Sequence, residues 1–321
     1  MEDRIMIIGN FTDLHARADT PQGRTDNFRK SILTKLEEIG QIWKDNKVEI
    51  VTFTGDLFDS PDPASSVRND VISILKSWRL RIVGVVGSHD YFGYQMKTLK
   101  RTALGSLYYA GIIDLVGGAD QKEYVEFRLK DFTAVITGTP HTYWATDNLL
   151  YIEKPRYVEG AFQIQLVHFD LMNKTVPWPH LTIGQIRTSS DVAFCGHYHP
   201  GWEVPVMGKD HCLFINQGSI GRLDNTGKQR TPRVCILQLT DSFNPPDITY
   251  VSLQSALQHP FKEYIKESKE IKSQDISKLL QMMENTDINI IDIKTVLPKV
   301  AKEFNFGEDV LSKAFELLEK V

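Results

Sequence analysis

Residues 48–59 read VEIVTFTGDLFD. A mostly apolar run of strand length passes directly into a glycine and two carboxylates. Working outward, residues 27–45 (NFRKSILTKLEEIGQIWKD) place Phe28, Ile32, Leu36, Ile39 and Trp43 at the three- and four-residue spacing of one helix face. Residues 4–8 (RIMII) precede that helix as a short apolar strand. Residues 65–78 carry a second helical face of Val67, Val71, Ile74, Leu75 and Trp78, and residues 81–86 (RIVGVV) a third strand. Strand, helix, strand, helix, strand with buried strands predicts parallel β-α-β units.

Residues 97–110 read as a further helix. From about residue 112 the pattern turns to short strands: 125–129, 134–137, 162–167, 192–195, 213–215, 234–239 and 248–253. A mixed sheet, or two sheets packed face to face with helices outside, is the expectation. Near residue 259 the composition shifts again. Residues 260–321 contain no arginine and one glycine, and carry helical patterns at 261–271, 275–284, 293–304 and 308–321. Asp275 and Asp292 are placed as N-caps. Two domains are expected, 1–257 and a helical C-terminal segment 258–321.

Composition sets outer bounds. The 321 residues have 41% hydrophobic and 24% charged side chains, enough for a sizeable core. Lys+Arg 37 against Asp+Glu 41 gives a net charge of −4, which excludes a globally basic nucleic-acid binder but not a local basic groove. No apolar run has the length of a transmembrane helix, and the N-terminus lacks the pattern of a secretory signal. Cys195, Cys212 and Cys235 are too few and too scattered for a disulfide framework. A cytoplasmic protein with no membrane association is expected.

The chemistry sits just after the strands. Asp13-Leu14-His15 follows the first, Gly55-Asp56-Leu57-Phe58-Asp59 the second, and Gly87-Ser88-His89-Asp90 the third. His168 follows residues 162–167, and Gly196-His197-Tyr198-His199 follows 192–195. Ligands of open α/β sheets bind at the carboxyl ends of strands, so five polar segments converge on one edge. Carboxylate oxygens and imidazole nitrogens suit borderline divalent metals. The i, i+2 pairs Asp13/His15 and His197/His199 point the same way in extended backbone. The set is too large and oxygen-rich for a four-ligand structural zinc; it suits two ions bridged by a carboxylate. Taken singly, Asp13 reads equally as a helix cap, Asp56 as a turn residue and Asp59 as an N-cap before Pro61. Taken together, five of the nine histidines fall in these blocks. His141, His180, His211 and His259 are read as ordinary surface or core residues, with a lesser second reading for His141, in Gly138-Thr139-Pro140-His141, as part of the site's lining.

In this order DxH, GDxxD, GxHD, a lone His and GHxH resemble the calcineurin-like metallophosphoesterase superfamily, over residues 13–199. The GDLFDSPDP loop, the segment Asn216-Gln217-Gly218-Ser219-Ile220-Gly221-Arg222 and the helical tail resemble the SbcD-type DNA repair exonucleases within it. The resemblance implies a four-layer α/β/β/α sandwich holding two Mn²⁺ ions. Asp13, His15 and His199 would hold the first ion, and Asp56 would bridge both. His168 and His197 would hold the second. His89 would stand beside the scissile phosphate, oriented from behind by Asp90. Ser88 occupies the place where the superfamily has a ligating asparagine, which puts the strength of the second metal site in question. Asp59 stands where the close nuclease relatives often have histidine.

The expected activity is Mn²⁺-dependent DNA exo- or endonucleolytic hydrolysis in repair or recombination. The resemblance adds an SbcC-type ATPase partner gripped by the C-terminal helices, and a homodimer. Arg222, Lys228 and Arg230, in the most basic loop, are candidates for DNA contact, and Tyr91 and Tyr198 for stacking on bases. Two other readings stand beside it: a phosphatase or phosphodiesterase acting on a small molecule or phosphoprotein, and a metal-impaired scaffold.

Overall fold

The computed structural model describes residues 5–118, 120–129, 132–141, 160–176, 180–223, 230–240, 246–256 and 261. Strands β1 (Ile5–Phe11), β2 (Ile50–Thr54) and β3 (Arg81–Val85) alternate with helices α1 (Phe28–Asp45) and α2 (Ser65–Ser77). The two-residue β4 (Asp114–Leu115) follows α3 (Ala103–Tyr109). Next come β5 (Tyr124–Leu129), β6 (Phe132–Thr139), β7 (Phe162–His168), β8 (Leu171–Met172), β9 (Leu181–Thr182) and β10 (Val192–Gly196). The last are β11 (Val206–Met207), β12 (Leu213–Ile215), β13 (Arg233–Thr240) and β14 (Asp247–Ser252).

The described strands build two six-stranded sheets, ordered β14-β13-β1-β2-β3-β4 and β11-β12-β10-β7-β6-β5, beside the small pair β8-β9. In the first, β1, β2, β3 and β4 run parallel, so their carboxyl ends share one edge. In the second, β6, β7, β10 and β12 do the same.

Alternation along each strand decides the layering. Met6, Ile8, Val83 and Val85 pack with Ile136, Ile164, Leu166 and Phe194 in a core between the sheets. The opposite face of the first sheet, with Val51, Phe53 and Ile82, is covered by Phe28, Ile32, Leu36, Ile39 and Trp43 of α1 and Val67, Val71 and Leu75 of α2. Burying a side chain of this size stabilises by ~1.5–3 kcal/mol. The outer face of the second sheet, with Val167, Ala193 and Cys195, is covered by Phe169, Leu171, Ile183, Ile186 and Trp202. The mixed α/β sandwich expected from the sequence is the observed fold. Among the described residues its fourth layer consists of β8, β9 and a 3₁₀ turn at Ile183–Gln185.

The helix expected at 97–110 is two elements. A 3₁₀ segment, Met96–Arg101, ends at Thr102, whose hydroxyl accepts the Gly105 N–H and caps α3. The helices expected beyond residue 261 lie outside the described residues. No described helix is long and apolar enough to cross a membrane.

Candidate metal centre

Parallel strands bring the motif loops together, and backbone hydrogen bonds extend the pairing past the strand ends. Asp13 N–H donates to the Gly55 carbonyl (3.2 Å), His15 N–H to Asp56 (3.0 Å) and Ala16 N–H to Leu57 (3.1 Å). The turn is sharp enough to place Asp13, His15, Asp56 and His197 at positive φ, between 50° and 74°. Non-glycine residues occupy that region at a cost of about 1–3 kcal/mol and only where surroundings enforce it. At Gly55, φ is +85° and an added Cβ would lie 2.2 Å from His168 Nδ1, so no side chain fits there.

Beside a third group of His15, Asp59 and His89, two groups of ligand atoms share a carboxylate, each with members within 4.8 Å of one another: Asp13, His15, Asp56 and His199, and Asp56, His168 and His197. Asp56 belongs to both. Its Oδ2 lies 3.2 Å from His168 Nε2 and 3.7 Å from His15 Nε2. His15 Nε2 is 3.0 Å from His199 Nε2, and His168 Nε2 is 3.3 Å from His197 Nδ1. The rims, His197 and His199, are half-exposed, while Asp13, His15, Asp56 and His168 are buried.

The far side of three of the four rings is also held. His168 Nδ1 meets the Thr54 carbonyl at 2.5 Å, and His15 Nδ1 meets Asp59 Oδ1 at 3.1 Å. His197 Nε2 lies 3.4 Å from Asp170 Oδ2. Such partners select the tautomer that leaves the opposite nitrogen free for a metal. The donor set is therefore suited to borderline divalent ions.

Electrostatics agree with an arrangement made for added positive charge. Burial pushes Asp56 up, but the charges of His168, His15 and His89 outweigh it and hold the carboxyl well below its ordinary value. Burial pushes His168 down, and Asp56 overcomes it, raising the imidazole to about 10. For His199 burial prevails and lowers it to about 4.

Ser88 sits at the shared carboxylate, its hydroxyl donating to Asp56 Oδ2 at 3.1 Å. His89 is exposed, its N–H donates to Asp56 Oδ1 at 2.7 Å, and its ring stands 4.8 Å from that of His15. Asp90 differs from the sequence expectation. Its Oδ2 accepts the N–H groups of Asp56 and Gly87, both at 2.9 Å, tying two motif loops together. His89 Nδ1 is held instead by the Asp59 carbonyl at 2.9 Å. The one-residue step from His89 to Asp90 turns the carboxylate inward, behind the loops rather than behind the ring.

The expected substrate contacts also fall elsewhere. Arg222 is buried and donates to the carbonyls of Arg230 (3.2 Å) and Ala256 (2.7 Å). Arg230 is half-buried and donates to the carbonyls of Gln217 (3.3 Å) and Ser219, and to Ser219 Oγ (3.1 Å). The Gln217 and Ser219 carbonyls draw the Arg230 guanidinium inward, and the Arg230 and Ala256 carbonyls draw that of Arg222. Tyr91 is buried, with its hydroxyl donating to the His141 carbonyl, so its face is closed to a base. Tyr198 is half-exposed and packs against the core on the outer face of the second sheet. Lys228 lies outside the described residues.

The sequence reading missed Asp170 and gave His141 a place at the site only as its lesser reading. Asp170 lies two residues past His168, the same spacing that marked the other pairs. His141 follows β6 after Pro140, as the motif residues follow their strands, and its ring lies 5.3 Å from that of His197.

The geometry has a family counterpart: the model for calcineurin-like phosphoesterases matches residues 6–201. The chain belongs to the calcineurin-like phosphoesterase family. Family and site together make it a metal-dependent hydrolase with a two-ion type of centre. Calcineurin-like phosphoesterase YfkN from Bacillus subtilis is 14% identical, with 88% of this chain and all of that chain covered (100%) at a TM-score of 0.50. A dimetal phosphatase from Danio rerio is 11% identical over 78% of this chain and 99% of that chain, TM-score 0.45. Haemophilus influenzae NAD nucleotidase is 11% identical over 89% and 57%, TM-score 0.47. At these identities the likeness is one of fold alone. No curated protein matches the chain's sequence.

Proposed function

We propose that this phosphoesterase hydrolyses phosphodiesters with two divalent cations, Mn²⁺ being the ion that its resemblance to SbcD-type nucleases implies. The observation that carries the reading is Asp56, the single carboxylate common to both ligand groups. Asp13, His15, Asp56 and His199 would hold one ion; Asp56, His168 and His197, with Ser88 beside them, the other. Bound ions of this kind generate a nucleophile from water near neutral pH and neutralise phosphate charge. His89 spends Nδ1 on the Asp59 carbonyl. Nε2 is then the nitrogen that exchanges a proton with the ester's leaving oxygen. Asp90 is a positioning residue that keeps the Asp56 and Gly87 loops in register.

Two substrate classes divide the observations. The inward engagement of Arg222 and Arg230 supports a small ester, because it removes two of the cations that would track a polynucleotide backbone. The GDLFDSPDP loop and the residue 216–222 segment support DNA through their resemblance to SbcD-type nucleases, and an ATPase partner bound by residues 258–321 would accompany that reading. The scaffold alternative rested on Ser88 alone, and both ligand groups assemble without it.

The test is hydrolysis of bis(p-nitrophenyl) phosphate and of end-labelled single- and double-stranded DNA in Mn²⁺, with Asp56→Asn in parallel. Diester hydrolysis lost by ~10³-fold or more in the variant is expected, the several kcal/mol that such ions supply. Activity on the small diester without DNA cleavage assigns the small-ester class; metal-dependent DNA cleavage assigns the nuclease. A chain that turns over neither, with Mn²⁺ bound, overturns the proposal.

A further inference from the structure

The second ligand group has three members where the first has four. His141 stands beside the smaller one. β6 and β7 run parallel with Thr139 opposite Val167, so the chain leaving β6 emerges next to His168. The His141 N–H donates to the Val86 carbonyl at 3.0 Å, which fastens it to the strand end that also carries Ser88. Its ring centroid lies 5.3 Å from His197 and 6.2 Å from His168. Rings that already share a ligand group are similarly spaced, 5.1 Å for His168 and His197 and 4.8 Å for His15 and His199.

The ring is also oriented as the ligating imidazoles are. The Tyr91 hydroxyl donates its proton to the His141 carbonyl, leaving its oxygen 3.3 Å from Nδ1. Nδ1–H is then the donor to that oxygen, and Nε2 carries the free lone pair. Thr54 does the same for His168, and Asp59 for His15. Ser88, also at Asp56, has its hydroxyl proton engaged by the Asp56 carboxylate, and its short side chain is a poor ligand.

We propose that His141 closes on the second divalent cation through Nε2 as its fourth protein ligand, completing the group of Asp56, His168 and His197. This rests on the two-ion reading above and extends it to a residue outside the five motif blocks. Tyr91 is the positioning residue that holds the ring's tautomer.

Calorimetric Mn²⁺ titration of the full chain tests it, with metal content counted after gel filtration. The wild type is expected to bind two ions. His141→Ala should weaken one of them by more than the roughly 10–100-fold that loss of an outer partner costs, and leave the other unchanged. His141→Phe, which fills the ring's space without a ligand atom, should do the same, so that lost packing is not mistaken for a lost ligand. Ser88→Asn in the His141→Ala background, which extends an amide oxygen toward Asp56, should restore the second ion. Two ions at wild-type affinity in both His141 variants would overturn the inference alone, even with reduced activity. A wild-type chain that binds one ion would overturn the two-ion reading and this inference with it.

Discussion

Nδ1 of His15 lies 3.1 Å from Oδ1 of Asp59, while Nε2 of the same ring lies 3.7 Å from Asp56 Oδ2. One imidazole thus links the centre to a carboxylate outside it, and Arg17 steadies that carboxylate at 2.6 Å. The Asp59 position, read from sequence as an N-cap before Pro61 and as a departure from close nuclease relatives, holds the His15 ring from outside the centre. Asp59→Asn keeps the shape and removes the charge. It is expected to lower the affinity of one Mn²⁺ by ~10–100-fold. Calorimetry that finds both affinities unchanged would remove Asp59 from the centre.

Metal binding must displace protons. In the metal-free chain burial works against a charged His168, but Asp56 prevails and holds it protonated up to about 10. The lone pair an ion needs is occupied at pH 7. Mn²⁺ titration at pH 7 should release a proton, seen as binding enthalpies that differ between buffers of different ionisation heat. For each proton released, apparent affinity should rise about tenfold per pH unit below that value. Identical enthalpies in Tris and phosphate-free HEPES would contradict this.

Lys35 occupies the buried face of α1 and donates to the Ile220 carbonyl at 3.2 Å. Burial, then the charges of Arg24 and Arg222, lower its ammonium to about 7. An unfolded lysine titrates at about 10.4. Between those values the unfolded chain binds a proton that the folded chain lacks, so this group makes stability rise with pH across that window. Its full cost is present below it. Lys35→Met should flatten the rise between pH 7 and 10 by on the order of 2–4 kcal/mol. Urea melts of both proteins at the two pH values measure the difference; parallel slopes would show that Lys35 keeps an ordinary value.

Arg222 distinguishes a structural role from a substrate role. Its guanidinium bonds to two carbonyls and lies 5.7 Å from the Phe261 ring centroid. Arg222→Met should cost about 1.5–3 kcal/mol, the worth of charged hydrogen bonds, with KM for a small diester unchanged. A raised KM at unchanged stability would return Arg222 to the substrate surface.

Much of the architecture was legible in periodicity. The helix faces of Phe28 to Trp43 and Val67 to Leu75, and the strands they follow, appear with shifts of a few residues at their ends, because burial on one side writes itself into spacing. The ligand groups were legible because parallel strands place their carboxyl ends together, so local motifs predict one shared site. Local pattern does not carry direction within a loop or contact between distant segments. Asp90 turned to the backbone of Asp56, Arg222 to Ala256, and Tyr91 to His141, each settled by which unpaired polar group lay within reach after packing. Residue types and their order after the strands determined a two-ion hydrolase centre. Tertiary structure alone decided which nitrogen of His168, His15 and His197 is held away from it, since that depends on Thr54, Asp59 and Asp170, partners brought in by other strands and loops.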